Sequence, residues 1–146
     1  MRAFDIHEDR VRFLSSLAVM AGYPTTLGSS LADGLRPDVI RVNQAQNGLF
    51  FGEAKNTERW SCAATQIRIR NYLRWFSVFL KHDLGTAFFA VCFGQHSESH
   101  FWAKTINKLS REEKVVWTRS GICNFGNGYS IAWFAINHDE IPHSQE

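Results

Sequence analysis

The chain has 146 residues, 45% of them hydrophobic and 14% aromatic, with 16 Lys and Arg against 14 Asp and Glu. That length and apolar content suit one domain with a real core and exclude a disordered chain. A net charge of +2 excludes a chain basic all over, so any nucleic-acid footprint must be local.

The three cysteines, Cys62, Cys92 and Cys123, are odd in number and form no CxxC pair. This fits a reduced protein rather than a disulfide scaffold. The opening MRAFDIHEDR holds three acids and no apolar run, so it does not read as a signal peptide. The longest near-apolar runs are too short to span a bilayer. Cytoplasm is the expected location, and a membrane is not an expected partner.

Residues 5–22 predict a helix, with Val11, Leu14, Leu17, Ala18 and Ala21 at helical spacing and Gly22 as the stop. Asp5, Glu8 and Asp9 crowd its first turn, where the helix dipole favours acids. Residues 23–34 are rich in Gly, Ser and Thr and read either as a loop or as a short edge strand at 23–27 followed by a loop.

Residues 37–43 and 49–55 predict two strands. A four-residue loop at 44–47 would pair Asn43 with Gly48 and set Asp38 opposite Glu53. A two-residue turn at Asn47-Gly48 would pair Val42 with Glu53 instead. By alternation Asp38, Ile40 and Val42 share one face, as do Leu49, Phe51, Glu53 and Lys55.

Residues 58–82 predict the longest helix, with a core stripe of Cys62, Gln66, Ile69, Leu73, Phe76 and Leu80. Residues 86–93 read as a buried strand, 101–113 as helix, and 115–119 and 129–137 as strands joined by a Gly126–Gly128 turn. No repeat or domain boundary shows, so residues 1–146 read as a single domain. The expected fold class is α/β, a mixed sheet flanked by helices.

Asp38, Glu53 and Lys55 stand on otherwise apolar strands, where strand propensity gives them no reason to be. Two adjacent carboxylates repel unless a hard divalent cation bridges them. Mg²⁺ takes one or two carboxylates, keeps waters and binds a substrate phosphate, and it lowers the pKa of a bound water. Lys55, two residues from Glu53, can hold or activate the attacking water. Ala54 points away, and its carbonyl is a further ligand only if the ladder leaves it unpaired.

Pro37-Asp38, a spacer of fourteen residues, then Glu53-Ala54-Lys55 resembles the PD-(D/E)xK nuclease superfamily. That resemblance implies a restriction-endonuclease-like core of order αβββαβ, here with a C-terminal helix and strand extension. It implies a Mg²⁺-dependent endonuclease acting on DNA, with Mn²⁺ as a substitute. It assigns Asp38 and Glu53 to the metal, Lys55 to the water, Glu8 of the first helix to the metal and Gln66 of the following helix to the site. Asp5 and Asp9 compete with Glu8. The pattern also looks like the virus-type replication-repair nucleases and the archaeal-type Holliday junction resolvases, so branched DNA is an implied partner. Cutting both strands favours a homodimer.

The plainer readings stand beside these. The charged trio also has a reading as a surface ion-pair cluster at a sheet edge, Glu8 as a dipole-friendly helix start, and Gln66 as the polar edge of its stripe. A non-catalytic nucleic-acid-binding protein and an RNA-directed nuclease are the functional alternatives. Arg68, Arg70, Arg74 and Lys81 read as phosphate contacts or as a solvated helix face. The five Trp residues read as core packing or as base-stacking surfaces. His96 and His100, with Cys92 upstream, match no zinc-finger spacing and read as surface histidines. The aromatic run at 131–136 reads either as core or as a surface for a partner.

Overall fold

Alternation places Leu49, Phe51 and Glu53 on one side of a strand and Phe50, Gly52 and Ala54 on the other. The computed structural model, which describes residues 3–27, 36–55, 63–80 and 85–138, forms that strand as β3, Gly48–Ala54. It pairs antiparallel with β2, Val39–Asn43, in a register running from Asn43↔Gly48 to Val39↔Gly52. The connection is the four-residue loop. Gln44–Gln46 form a 3-10 turn, and Asn47 closes it in the left-handed region at φ 53. The Asn43 side chain steadies the turn by accepting the Gln46 N–H at 3.2 Å.

Helix α1, Ala3–Met20, precedes a two-residue edge strand β1, Thr25–Thr26, which pairs with β2. Helix α2, Ala63–Leu80, follows β3 and leads into β4, Thr86–Phe93. Strands β3 and β4 are parallel, with α2 in the crossover between them. Helix α3, His96–Glu112, and strands β5, Arg119–Asn124, and β6, Ser130–Ile136, complete the described chain. The sheet has six strands in the order β1-β2-β3-β4-β6-β5, and every pair except β3–β4 is antiparallel.

Helices cover both faces. On one face α1 brings Leu14, Leu17 and Ala18 against Val39, Phe50, Phe88 and Trp133. On the other, α2 and α3 bring Ile69, Leu73, Phe76, Trp102 and Ile106 against Phe51, Phe89 and Phe134. Each fully buried Phe or Leu stabilises this sandwich by about 1.5–3 kcal/mol.

Two expectations are corrected. The strand expected at 115–119 begins only at Arg119. Lys114 takes a left-handed φ of 63, Val115 donates its N–H to the Ser110 carbonyl at 2.9 Å, and the Trp117 indole N–H reaches Ser110 Oγ at 2.8 Å. Residues 115–117 are therefore bound to the end of α3 rather than to a strand. Helix α3 starts at His96, not at 101, because its polar first turn is satisfied by its own cap and by Ser130 of β6. Gln95 donates its N–H to Glu98 Oε1 at 3.1 Å, and the buried Ser99 hydroxyl donates to Ser130 at 2.8 Å. Both strands expected after α3 are present, and β6 lies inside the sheet with every residue buried. Of the two readings of the run 131–136, core is the one found.

Candidate functional site

The register that pairs Val39 with Gly52 continues to Asp38 opposite Glu53. Asp38 lies at the bend just before β2, so its carboxylate lies at the end of the sheet. Its Oδ2 accepts the Ala54 N–H at 2.9 Å, and its own N–H donates to Glu53 Oε1 at 3.4 Å. Lys55 donates its N–H to the Cys92 carbonyl at 2.8 Å, on the β4 side. Alternation then turns the Ala54 N–H and carbonyl towards β2. The residue facing Ala54 in the continued register is Pro37, which has no N–H to give that carbonyl.

Glu53 is only 2% exposed. Burying a carboxylate without partners is costly, and this one is surrounded. Oε1 accepts the Tyr72 hydroxyl at 3.1 Å, and Oε2 accepts Arg68 at 3.1 Å and lies 3.4 Å from Lys55 Nζ. The Lys55 side chain is 12% exposed and that of Arg68 55%. This is not a solvated surface pair, since three of the four groups are largely withdrawn from water. Burial raises the Glu53 pKa, and the Asp38 charge raises it further against the pull of Lys55 and Arg68. Burial also raises the Tyr72 hydroxyl, as does Glu53, so it stays a proton donor.

The first helix contributes His7, whose Nε2 is 3.8 Å from Asp38 Oδ1. Glu8 is its exposed neighbour and makes no ion pair with a described residue. Asp9 pairs with Arg12, and the Asp5 side chain lies outside the described residues. Gln66 is half-buried on α2 and makes no hydrogen bond among the described residues. The structure thus joins Asp38, Glu53 and Lys55, and it adds Tyr72, Arg68 and His7. Arg68 and Tyr72 are spaced i, i+4 on α2, which puts both on one helix face. That spacing pairs the two side chains, but nothing in it aims them at Glu53.

Arg70 and Arg74 are engaged by Glu112 and Glu113 of α3. Trp102 and Trp133 are core, and Trp75 and Trp117 are half-buried. Trp60, Cys62 and Lys81 lie outside the described residues. Burial pushes the Cys92 thiol up to about 12, so it is not a nucleophile at neutral pH.

The donors at the sheet end are Asp38, Glu53 and the Ala54 carbonyl, all oxygens, which suits a hard cation such as Mg²⁺. No group of three or more His, Cys, Asp and Glu side chains gathers among the described residues. A Mg²⁺ site with one or two carboxylates, waters and a substrate phosphate does not need one. The charges of Asp38 and Glu53 are balanced by Lys55 and Arg68. Arg68, more than half exposed, is the group free to turn away from Glu53.

No family model, no curated protein and no solved structure matches the chain.

No helix among the described residues is long and apolar enough to cross a membrane.

Proposed function

We propose that the chain is a metal-dependent endonuclease of the PD-(D/E)xK type, hydrolysing phosphodiester bonds in DNA. The observation that carries this is the contact of Asp38 with Glu53 and Ala54 at the carboxyl ends of β3 and β4, with Lys55 on the same carboxylate. The element order supports it too, running helix, three antiparallel strands, helix and parallel strand. That order is the one expected of a restriction-endonuclease-like core.

Asp38, Glu53 and the Ala54 carbonyl would hold the Mg²⁺. Bound there, the ion supplies a water of lowered pKa and neutralises charge on the phosphate. Lys55 Nζ, tethered to Glu53, would orient the attacking water and, as an ammonium, steady the developing oxyanion; taking the water's proton would first require its own deprotonation. Tyr72 fixes the Glu53 carboxylate by donating to Oε1. Arg68 exchanges Glu53 for a substrate phosphate, which a guanidinium matches well. Glu8 and Gln66 assist from α1 and α2. A domain this small reads little sequence by itself, so structure-selective or weakly specific cutting is the expected mode. Cutting both strands of a duplex would take a homodimer.

Arg68 favours one second reading. It already occupies Glu53 Oε2, as it would in a non-catalytic nucleic-acid-binding protein with this fold. One assay separates the two. The protein is incubated with supercoiled plasmid, a four-way junction and single-stranded RNA, under Mg²⁺, Mn²⁺ or chelator, beside Asp38→Ala and Lys55→Ala. Metal-dependent cleavage lost in both variants supports the nuclease. Salt-sensitive retention without cleavage supports the binding protein.

A further inference from the structure

The first turn of α3 carries a second constellation that the proposed nuclease does not use. His96 and His100 are spaced i, i+4 and so share one helix face. Their Nε2 atoms are 3.1 Å apart. The rings stand nearly perpendicular, at 83°, with centroids 4.6 Å apart. A straight N–H···N hydrogen bond would lay the rings end to end and hold the centroids further apart. Here the rings are bent out of line, and the two Nε2 atoms approach as a bent N–H···N contact at a spacing that one shared ion could also take. Two imidazoles on one zinc ion, each about 2.0–2.1 Å from it, have nitrogens about 2.9–3.4 Å apart for angles from square to tetrahedral.

The other ring nitrogen of His96 is also placed. His96 Nδ1 lies 3.0 Å from Ser130 Oγ, and Ser130 accepts the buried Ser99 hydroxyl at 2.8 Å. When His96 carries its proton on Nδ1, that N–H donates to Ser130 Oγ. That tautomer leaves the His96 Nε2 lone pair free to bind. A metal-ligating imidazole is commonly held in this way by a hydrogen bond on its far nitrogen. Ser130 is fixed by β6, opposite Phe93 of β4, so a rigid strand orients the ring. His100 is exposed, which leaves the pair accessible from solvent. Cys92 is not a third ligand, because its side chain packs on the α1 face of the sheet.

We propose that His96 and His100 form a two-imidazole site for a borderline divalent metal of the zinc class, with water or an incoming ligand in the remaining positions. Imidazole nitrogens select such ions over Mg²⁺, which prefers oxygen. The site is therefore chemically distinct from the oxygen donors at Asp38 and Glu53. It lies at the same end of the sheet, since Ser130 and Phe93 pair beside the strand that ends at Lys55.

The test is zinc titration of the full, tag-free chain by calorimetry, with ¹⁵N spectra of the histidine side chains. The proposal expects one zinc per chain with shifts of both the His96 and the His100 Nε2 resonances. His100→Ala and His96→Ala each weaken zinc at least tenfold, and Asp38→Asn does not. Ser130→Ala, which removes only the orienting hydrogen bond, weakens zinc by about tenfold or more while the His100 resonance still shifts. Folding of each variant is checked by its melting curve. Unchanged zinc affinity in folded His100→Ala would overturn the proposal. So would zinc binding that Asp38→Asn abolishes and both histidine variants keep, because that places the ion at the carboxylates.

Discussion

Asp38 Oδ2 accepts the Ala54 N–H at 2.9 Å, which ties a carboxylate to the backbone between Glu53 and Lys55. The acid is thus both a charge and an acceptor that closes the end of the β2–β3 ladder.

Those two roles separate by mutation. Asp38→Asn keeps an oxygen for the Ala54 N–H and loses the charge. It is expected to unfold within about 0.5 kcal/mol of the parent while cleavage falls by about 10³-fold or more. Asp38→Ala also leaves the amide without its acceptor and costs about 1–3 kcal/mol. Urea unfolding beside a plasmid-nicking assay checks both. Equal destabilisation by the two substitutions would contradict the hydrogen-bond role.

The raised Glu53 pKa makes a stability prediction with a definite sign. Between the unfolded value near 4.5 and the higher folded value, the native chain holds more protons than the unfolded one. The metal-free protein therefore loses stability as pH rises through that window. Glu53→Gln removes the buried charge and is expected to raise Tm at pH 8 in chelator. The gain disappears well below the unfolded value, at about pH 3, where Glu53 is protonated in both states. A Tm at pH 8 equal to or below that of the parent would contradict burial as the dominant cause.

Arg68 pairs with Glu53 through a half-exposed guanidinium, and such a pair contributes about 1 kcal/mol at most. Arg68→Ala removes a cation that, on the proposed function, would compete with Mg²⁺ for Glu53. The Mg²⁺ concentration for half-maximal cleavage is expected to fall, by about fivefold or less, while maximal cleavage also falls because a phosphate contact is gone. A higher Mg²⁺ requirement would show that Arg68 supports the metal rather than competing with it.

The hairpin register depends on a contact far from the site. Gly85 donates its N–H to the Asn47 carbonyl at 3.0 Å, and a Cβ on Gly85 would lie 2.1 Å from the Gln46 carbonyl oxygen. Gly85→Ala must displace the loop that sets Asp38 opposite Glu53. It is expected to cost about 1–3 kcal/mol and to reduce cleavage, measured by thermal unfolding and the same nicking assay. Parent-like stability and activity would show that the loop does not hold the register.

Much of the central hairpin was legible because alternation and one turn determine it. The polar run between Asn43 and Gly48 marked the turn but left a four-residue loop and an Asn47-Gly48 turn open; the structure has the loop, which carries Asp38 to Glu53. The buried run of β4 was equally plain. Strand β5 was not, since half of its residues are exposed and Gly121 contributes no side chain. Its meaning lies in Trp133, whose indole occupies the space a Cβ on Gly121 would need, at 2.7 Å. The start of α3 was hidden because Glu98 and Ser99 are polar yet buried, and Ser99 finds its partner in Ser130 of β6, far along the chain. Within the site, Lys55 followed from its two-residue spacing from Glu53. Tyr72, Arg68 and His7 did not, because they arrive through the docking of α2 and α1 on the sheet, and local pattern does not encode that docking.

The central claim is that Asp38, Glu53 and Lys55 hydrolyse phosphodiesters with a divalent metal. Nicking of supercoiled plasmid by purified protein, with Mg²⁺ and with chelator, tests it most directly when Lys55→Ala runs beside the parent. The account predicts cleavage that needs Mg²⁺ or Mn²⁺ and drops by about 10²–10⁴-fold in Lys55→Ala. Cleavage that survives the chelator, or full activity in Lys55→Ala, would contradict it.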